Sequence, residues 1–319
     1  MSSRTEKPKV ILLFGATGVG KTALLGRMFS QGVELVSADA LQIYRQLDIG
    51  TAKPDTEILS RIPHHLINIL DYSESFSVGD FCTRADEAVQ EILQRGNIPI
   101  LSGGTAYYLK SWLLGMPATP VSNPQLRGAL ELKWADKSDD ELKKELELID
   151  PVSADRISRG DRYRMLRALE VHLQSGRSLS SYKVPDTPRE DYQVLSIGLK
   201  QERSELYHRI NQRVEKMFEE GLAEEVAALR NQGAIREHPG MKAIGYREWF
   251  GEPGKPVPDA AAVKELIARN TRRYAKRQIT FFSSLPEVHW FDASEDSGVP
   301  GGIISLIDDY LKNNTIRIT

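Results

Sequence analysis

Residues 12–25 read LLFGATGVGKTALL: an apolar run, a glycine-rich turn, then a lysine and a hydroxyl residue that open a new periodic segment. Gly15, Ala16, Thr17, Gly18, Val19, Gly20, Lys21 and Thr22 fit G-x-x-x-x-G-K-[ST], a loop whose backbone N–H groups converge on phosphate oxygens. The run before it, KVILLFGA from Lys9, is continuously apolar, as a parallel strand buried on both faces must be. A helix beginning near Gly20 adds its positive end to the cradle. In this reading Lys21 brings a point charge to the terminal phosphate, and Thr22 holds a Mg²⁺ ion.

Working outward, VELVSAD (Val33–Asp39) reads as a second strand and NIPILSGGT (Asn97–Thr105) as another, ending in a glycine pair. Between them Ser77–Gly96 reads as a helix, its start marked by Ser77 with Asp80. Strand–helix alternation of this kind predicts an α/β fold with a parallel sheet flanked by helices, of the P-loop NTPase-like type. The texture then changes. Gly115–Pro124 has the composition of a linker, and from Gln125 to about Arg177 the pattern is helical, charged and free of strand candidates. Tyr192–Leu199 returns to strand character, so residues 121–191 are expected as an all-helical insertion domain in a core made of 1–120 and 192–319. One long helix is expected from about Glu202 to Leu229, another from about Ala260 to Ser283, and a turn with a closing amphipathic helix after Trp290.

The bulk numbers exclude several classes. Formal charge is 42 − 44 = −2, so nucleic-acid binding has to come from a local basic patch. One cysteine, Cys82, leaves no internal disulfide and no cysteine-rich zinc module. No apolar run approaches membrane-spanning length, and neither a signal peptide nor a transit sequence is recognisable, so a cytoplasmic protein is expected. A basic patch does exist: RNTRRYAKR (Arg269–Arg277) holds five cations and no acid in nine positions. On a helix Arg269, Arg272, Arg273, Lys276 and Arg277 share one face, which is either a solvated stripe or a phosphate-binding one. Arg159, Arg162, Arg164 and Arg167 add cations from the insertion.

Carboxyl ends of parallel strands line the ligand crevice of open α/β sheets, so Asp39 should look into the cleft of Lys21; on position alone it is equally a turn aspartate. The strand IPILSGG, where a phosphoryl-transfer enzyme keeps an acid for Mg²⁺, ends without a carboxylate. The continuation SADALQIYRQLDIGTAKP (Ser37–Pro54) resembles the signature segment of the tRNA dimethylallyltransferases. So do GATGVGKT, PHHLINIL (Pro63–Leu70), PILSGGTAYYLKSWLLG (Pro99–Gly115), RYRMLRALEV (Arg162–Val171), KAIGYRE (Lys242–Glu248) and AKRQITFF (Ala275–Phe282), in the family's order.

The resemblance implies transfer of a dimethylallyl group from its diphosphate to the exocyclic amine of the adenosine beside the 3′ side of the anticodon in tRNA. The loop then holds a departing diphosphate, with Mg²⁺ at Thr22. By the same resemblance Asp39 is the general base, Arg127 contacts the diphosphate, and Thr105 stands beside the reacting groups, although a helix N-cap is an equally good local role for Thr105. Asp39, Ala40, Leu41 and Gln42 would line the everted base; Ala40 replaces a usual small polar residue and has no chemical role. Contact with the anticodon stem-loop is implied for Tyr163, Arg164, Met165, Leu166 and Arg167, for Lys242, Gly245, Tyr246 and Arg247, and for Lys276, Arg277 and Gln278. A monomer with no membrane contact is the expected form. The alternative is a P-loop kinase acting on a small molecule or nucleotide.

Overall fold

The computed structural model describes residues 7–29, 31–251, 258–293 and 302–312. Six strands, β1 (Lys9–Gly15), β2 (Val33–Ser37), β3 (His64–His65), β4 (Ile98–Gly103), β5 (Gln193–Lys200) and β6 (Val288–Asp292), form one wholly parallel sheet in the order β3-β2-β4-β1-β5-β6. Every residue of β1, β2 and β4 is buried, as their mainly apolar runs require, the carboxylate of Glu34 in β2 being paired with Arg95, Asn97 and His65. The register sets Leu13 against Ser102 and Ile197, and Ser37 against Ser102, so the carboxyl ends of β1, β2, β4 and β5 open on one edge.

Chain contacts divide the protein into two compact units, Met1–Leu113 with Pro188–Thr319, and Leu114–Thr187. These bounds differ from the 121–191 expected for the insertion. Residues 114–120 go with the second unit because Arg167 donates to Pro120 O and Gly115 sits against Pro185. Residues 188–191 go with the sheet: Arg189 donates to Asp86 Oδ1 at 2.7 Å, and its backbone N–H to Leu113 O at 2.8 Å.

In the sheet unit, α1 (Lys21–Met28), α2 (Thr56–Arg61), α3 (Val78–Gln94) and α4 (Ala106–Leu114) connect the early strands. The second unit is helical: α5 (Pro124–Lys133), α6 (Asp139–Ile149), α7 (Pro151–Arg156) and α8 (Arg162–Ser175) pack Leu130, Trp134, Leu142, Leu146, Met165 and Leu169 into a core of their own. The sheet unit then resumes with α9 (Arg203–Glu219), α10 (Leu222–Asn231), α11 (Ala260–Phe282) and α12 (Ile303–Leu311).

Two local features depart from the sequence reading. The long helix expected over 202–229 is broken into α9 and α10, because Gly221 takes φ +97°, a left-handed turn that glycine adopts without steric cost. Strand β6 was not expected; at the sheet edge none of its residues is fully buried, and no apolar run marks it.

Candidate active site

The phosphate loop closes β1 against β5 with no room for a side chain at Gly15, where a Cβ would lie 2.6 Å from Leu199 O. Gly18 and Gly20 stand at φ +85° and +100°, conformations that L side chains resist. Their N–H groups have no acceptor among the described residues. Lys21 Nζ folds back on the loop, donating to Gly15 O at 2.9 Å and Ala16 O at 3.1 Å. Burial pulls its ammonium down to about 8, opposed by the Asp39 carboxylate and reinforced by the Arg213 guanidinium. The Thr22 hydroxyl is exposed at the start of α1 and has no partner among the described residues.

Asp39 follows β2 at the same sheet edge. Its Oδ1 accepts from Leu41 N at 3.0 Å and Gln42 N at 3.4 Å, an Asx-type turn that aims the carboxylate. Thr105 Oγ1, just past β4, accepts from Ala40 N at 2.9 Å and so ties the two strand ends together. The glycine pair before it is a packing requirement: a Cβ at Gly103 would lie 2.1 Å from Ala38 O, and one at Gly104 2.6 Å from Gln278 Nε2. Gln42 donates its amide to Thr51 O at 3.4 Å and Ala52 O at 3.3 Å, which leaves its carbonyl oxygen for another donor. The loop carrying Thr51 is clamped by Glu225, whose carboxylate accepts from the N–H groups of Asp48, Ile49 and Gly50 at 3.1, 2.8 and 3.2 Å and from the Tyr246 hydroxyl at 2.6 Å.

Three site residues escaped the sequence reading. Arg209 and Arg213, one turn apart on α9, flank the loop. The Arg209 guanidinium comes within 3.1 Å of where a Cβ on Gly20 would be, and Arg213 is a half-buried cation whose charge acts on both Asp39 and Lys21. Burial lowers the Arg213 pKa and Asp39 opposes it. Neither guanidinium has a hydrogen bond or ion pair among the described residues, a costly state that an arriving anion relieves. Tyr274 on α11 is the third; its phenol is pushed up to about 12 by burial and then by the charge of Asp39, so it stays a neutral donor. The clue available was position: Arg209 and Arg213 are i, i+4 on a helix that follows a strand end.

Several residues expected at an RNA surface lie elsewhere. Met165 and Leu166 are buried in the core of the helical unit, and Tyr246 is wholly buried under Gly50, so none of these side chains meets a macromolecule. Gly245 is buried too, with φ +104° and its N–H given to Glu248 Oε2 at 2.9 Å. Gln278 is internal: its Oε1 accepts from Thr17 N at 2.9 Å and its Nε2 donates to Gly104 O at 2.6 Å. Arg167 is tied to Glu170 at 2.8 Å. What remains exposed is Tyr163 and Arg164 on α8, Lys242 and Arg247, and Arg269, Arg273, Lys276 and Arg277 on α11. The α11 four have no ion pair among the described residues. Arg127 belongs to the helical unit, where it meets Glu131 at 3.2 Å, Glu170 at 3.6 Å and Tyr163 O at 2.9 Å, with the Tyr163 ring 4.5 Å away.

A family model described as IPP transferase matches residues 42–285. The tRNA dimethylallyltransferase 1 of Citrifermentans bemidjiense is 42% identical over 315 residues, which is 98% of this chain and 99% of that one. The tRNA dimethylallyltransferase of Geobacter sulfurreducens is 40% identical over 290 residues, 90% of this chain and 93% of its own. Among solved structures, the tRNA isopentenylpyrophosphate transferase of Bacillus halodurans superposes with a TM-score of 0.66 at 35% identity over 97% of each chain. A eukaryotic dimethylallyltransferase acting on tRNA gives 0.76 at 25% identity, covering 97% of this chain and 81% of that one. With a phosphate loop, an aspartate and uncommitted cations gathered at one sheet edge and relatives of this kind along nearly its whole length, the chain belongs to the IPP transferase family, the tRNA dimethylallyltransferases.

Proposed function

We propose that the chain transfers a dimethylallyl group from dimethylallyl diphosphate to the exocyclic amine of the adenosine 3′-adjacent to the anticodon in tRNA, releasing diphosphate. The observation that carries this reading is that Asp39 faces the loop lysine Lys21, Arg213 and Tyr274 in one cluster, so an anion site and a proton acceptor share a crevice.

The chemistry follows from the charges. A new C–N bond forms between the exocyclic nitrogen and the allylic carbon, while the C–O bond to the diphosphate breaks and its electron pair leaves with the diphosphate. Lys21, Arg209, Arg213 and the loop N–H groups hold the charge that develops on the leaving group. The amine must lose a proton as it bonds, and the Asp39 carboxylate takes it. Thr105 fixes Ala40, and with it the position of Asp39. The role of Arg127 at the diphosphate rests on resemblance alone.

Mg²⁺ fits the donors present: a free Thr22 hydroxyl at a helix start suits an ion that keeps waters and takes most of its ligands from phosphate oxygens. Among the described residues there is no cluster of three or more histidine, cysteine or carboxylate groups for an all-protein metal cage. When bound, the ion would neutralise diphosphate charge.

The acceptor base has to leave its stack for its exocyclic amine to come within hydrogen-bond reach of Asp39 at the sheet edge. Exposed cations on α11, with Tyr163 and Arg164 on α8, suit phosphate contact and stacking with the anticodon stem-loop. A monomer working in the cytoplasm is the form this reading implies; among the described residues no helix is long and apolar enough to cross a membrane. Incubation with unmodified tRNA and labelled dimethylallyl diphosphate should place label in the RNA in a Mg²⁺-dependent way. Label that never enters RNA, or ATP turnover driven by a small acceptor without RNA, refutes the proposal.

A further inference from the structure

Tyr274 on α11 stands at the crevice without a task in the transfer chemistry above. Its hydroxyl donates to Gly104 O at 3.3 Å, beyond the range of about 2.5–3.0 Å that O–H donors keep in a strong bond. That carbonyl has a better donor in Gln278 Nε2 at 2.6 Å. Burial first, and then the charge of Asp39, hold the proton on the phenol. The side chains of Thr105 and Gln278 act the other way, as donors facing the phenol oxygen do. The oxygen is served and the hydrogen is only loosely spent, so Tyr274 keeps a donor in reserve.

An acceptor in reserve lies beside it. Asp39 Oδ1 is committed to the N–H groups of Leu41 and Gln42, whereas Oδ2 accepts no hydrogen bond among the described residues. Both groups border one glycine: Gly104 O receives the Tyr274 hydroxyl, and a Cβ on Gly104 would lie 3.9 Å from Asp39 Oδ2. The same Cβ would lie 2.6 Å from Gln278 Nε2, so the backbone between the two groups stays bare.

An acceptor beside a donor reads a base edge. Adenine shows an amine hydrogen and, next to it, the lone pair of ring nitrogen N1, the complement of a carboxylate oxygen beside a phenol. Guanine and hypoxanthine show a carbonyl beside an N–H, which would set acceptor against acceptor and donor against donor. N7 flanks the amine on the other side, but an everted base is read along its Watson–Crick edge. We infer that Tyr274 is a specificity-determining residue: its hydroxyl turns from Gly104 to donate to N1 of the acceptor adenine while Asp39 Oδ2 receives the amine proton. The inference rests on the prenyl-transfer reading. The bond occupies the in-plane lone pair of N1, a better nucleophile in the free base than the amine, whose pair is spread into the ring. It also draws charge from the ring, which makes the amine proton easier for Asp39 to take.

Single-turnover transfer by the unsubstituted protein and by Tyr274→Phe tests it, with adenosine, 1-deazaadenosine or 7-deazaadenosine at the acceptor position of an anticodon stem-loop. Each deaza penalty is a ratio within one protein, so any loss of folded fraction cancels. The 1-deaza penalty should be about fivefold or more smaller in Tyr274→Phe, because the bond it removes is already gone, while the 7-deaza penalty should be the same in both proteins. If all three acceptors slow by one common factor, within about twofold, Tyr274 supports the crevice or the diphosphate and the inference is overturned. A penalty that shrinks for 7-deazaadenosine in place of 1-deazaadenosine overturns it too, since the other edge of the base then meets the phenol. Failure of the unsubstituted protein to modify plain adenosine refutes the prenyl-transfer reading instead.

Discussion

Replacing Asp39 separates its two jobs. Oδ1 anchors the turn through the N–H groups of Leu41 at 3.0 Å and Gln42 at 3.4 Å. The proton-accepting capacity belongs to the ionised carboxylate. Asp39→Asn keeps an amide oxygen for the turn and removes the basicity. Asp39→Ala removes both. Two hydrogen bonds to a charged acceptor are together worth about 3–6 kcal/mol at most, reduced at a half-exposed turn with one of them at 3.4 Å to about 1–2 kcal/mol. A positioned general base contributes about 10²–10⁴-fold, or roughly 3–5 kcal/mol of barrier. Asn should therefore melt within about a degree of the unsubstituted protein, and Ala several degrees lower. Single-turnover transfer of labelled dimethylallyl to an anticodon stem-loop should fall about 10²–10⁴-fold in both. Diphosphate affinity should rise slightly in both, since a carboxylate facing the loop has been neutralised. If Asn retains more than about a tenth of the rate, Asp39 does not take the proton. If its rate falls only in step with its melting temperature, Asp39 is a turn residue and nothing more.

Four further outcomes follow from the same geometry. Because Lys21 is held down to about 8, raising the pH from 7 to about 9.5 removes its charge and should weaken diphosphate binding, while Lys21→Met should bind weakly with a flat profile; calorimetry across pH reads both. Arg213→Met should lower diphosphate affinity about 10–100-fold while leaving the free protein as stable or more so, because a partly desolvated cation with no hydrogen bond or ion pair among the described residues has gone. Glu225→Gln puts an NH₂ where a carboxylate oxygen accepts from backbone N–H groups and the Tyr246 hydroxyl, and urea titration should show a loss of about 2–3 kcal/mol. Glu34, buried in β2, is held down to about 2, first by its hydrogen bonds from Arg95, with Asn97 and His65 adding to them. Its folded-state pKa lies below the unfolded one, so its contribution is whole above about 4.5 and fades as pH falls toward 2; Glu34→Gln should cost about 1–3 kcal/mol at pH 7 and flatten acid unfolding across that window.

The phosphate loop was legible because cradling an anion with backbone forces glycine at fixed spacing, and the strand around it because burial on both faces forces an apolar run. Asp39 was legible as a strand-end residue. Arg209 and Arg213 were not, since they border the Leu206, Ile210, Val214 and Met217 stripe of α9, where an arginine reads as the ordinary half-exposed edge of an amphipathic helix; the loop they flank arrives from the other end of the chain. Met165 and Leu166, placed at the RNA by resemblance along with their neighbours, are buried instead, because a helix turns successive residues about 100° apart and a contiguous segment cannot all face one surface. Gln278, also placed at the RNA by resemblance, sits with Ala275 and Phe282 on the inner face of α11, which its spacing from those two residues fits.

That glutamine sets a length. One amide, far down the chain from the loop it meets, spans from Thr17 of the anion cradle to Gly104 at the neighbouring strand end. The gap between those two shores is gauged by a single rigid plane. The same helix carries Arg273, Lys276 and Arg277 on its outer side. A slide of α11 by a fraction of an ångström would break one end of the gauge or the other, so pressure applied to the outer cations reaches the inner spacing without any residue in between having to move on its own.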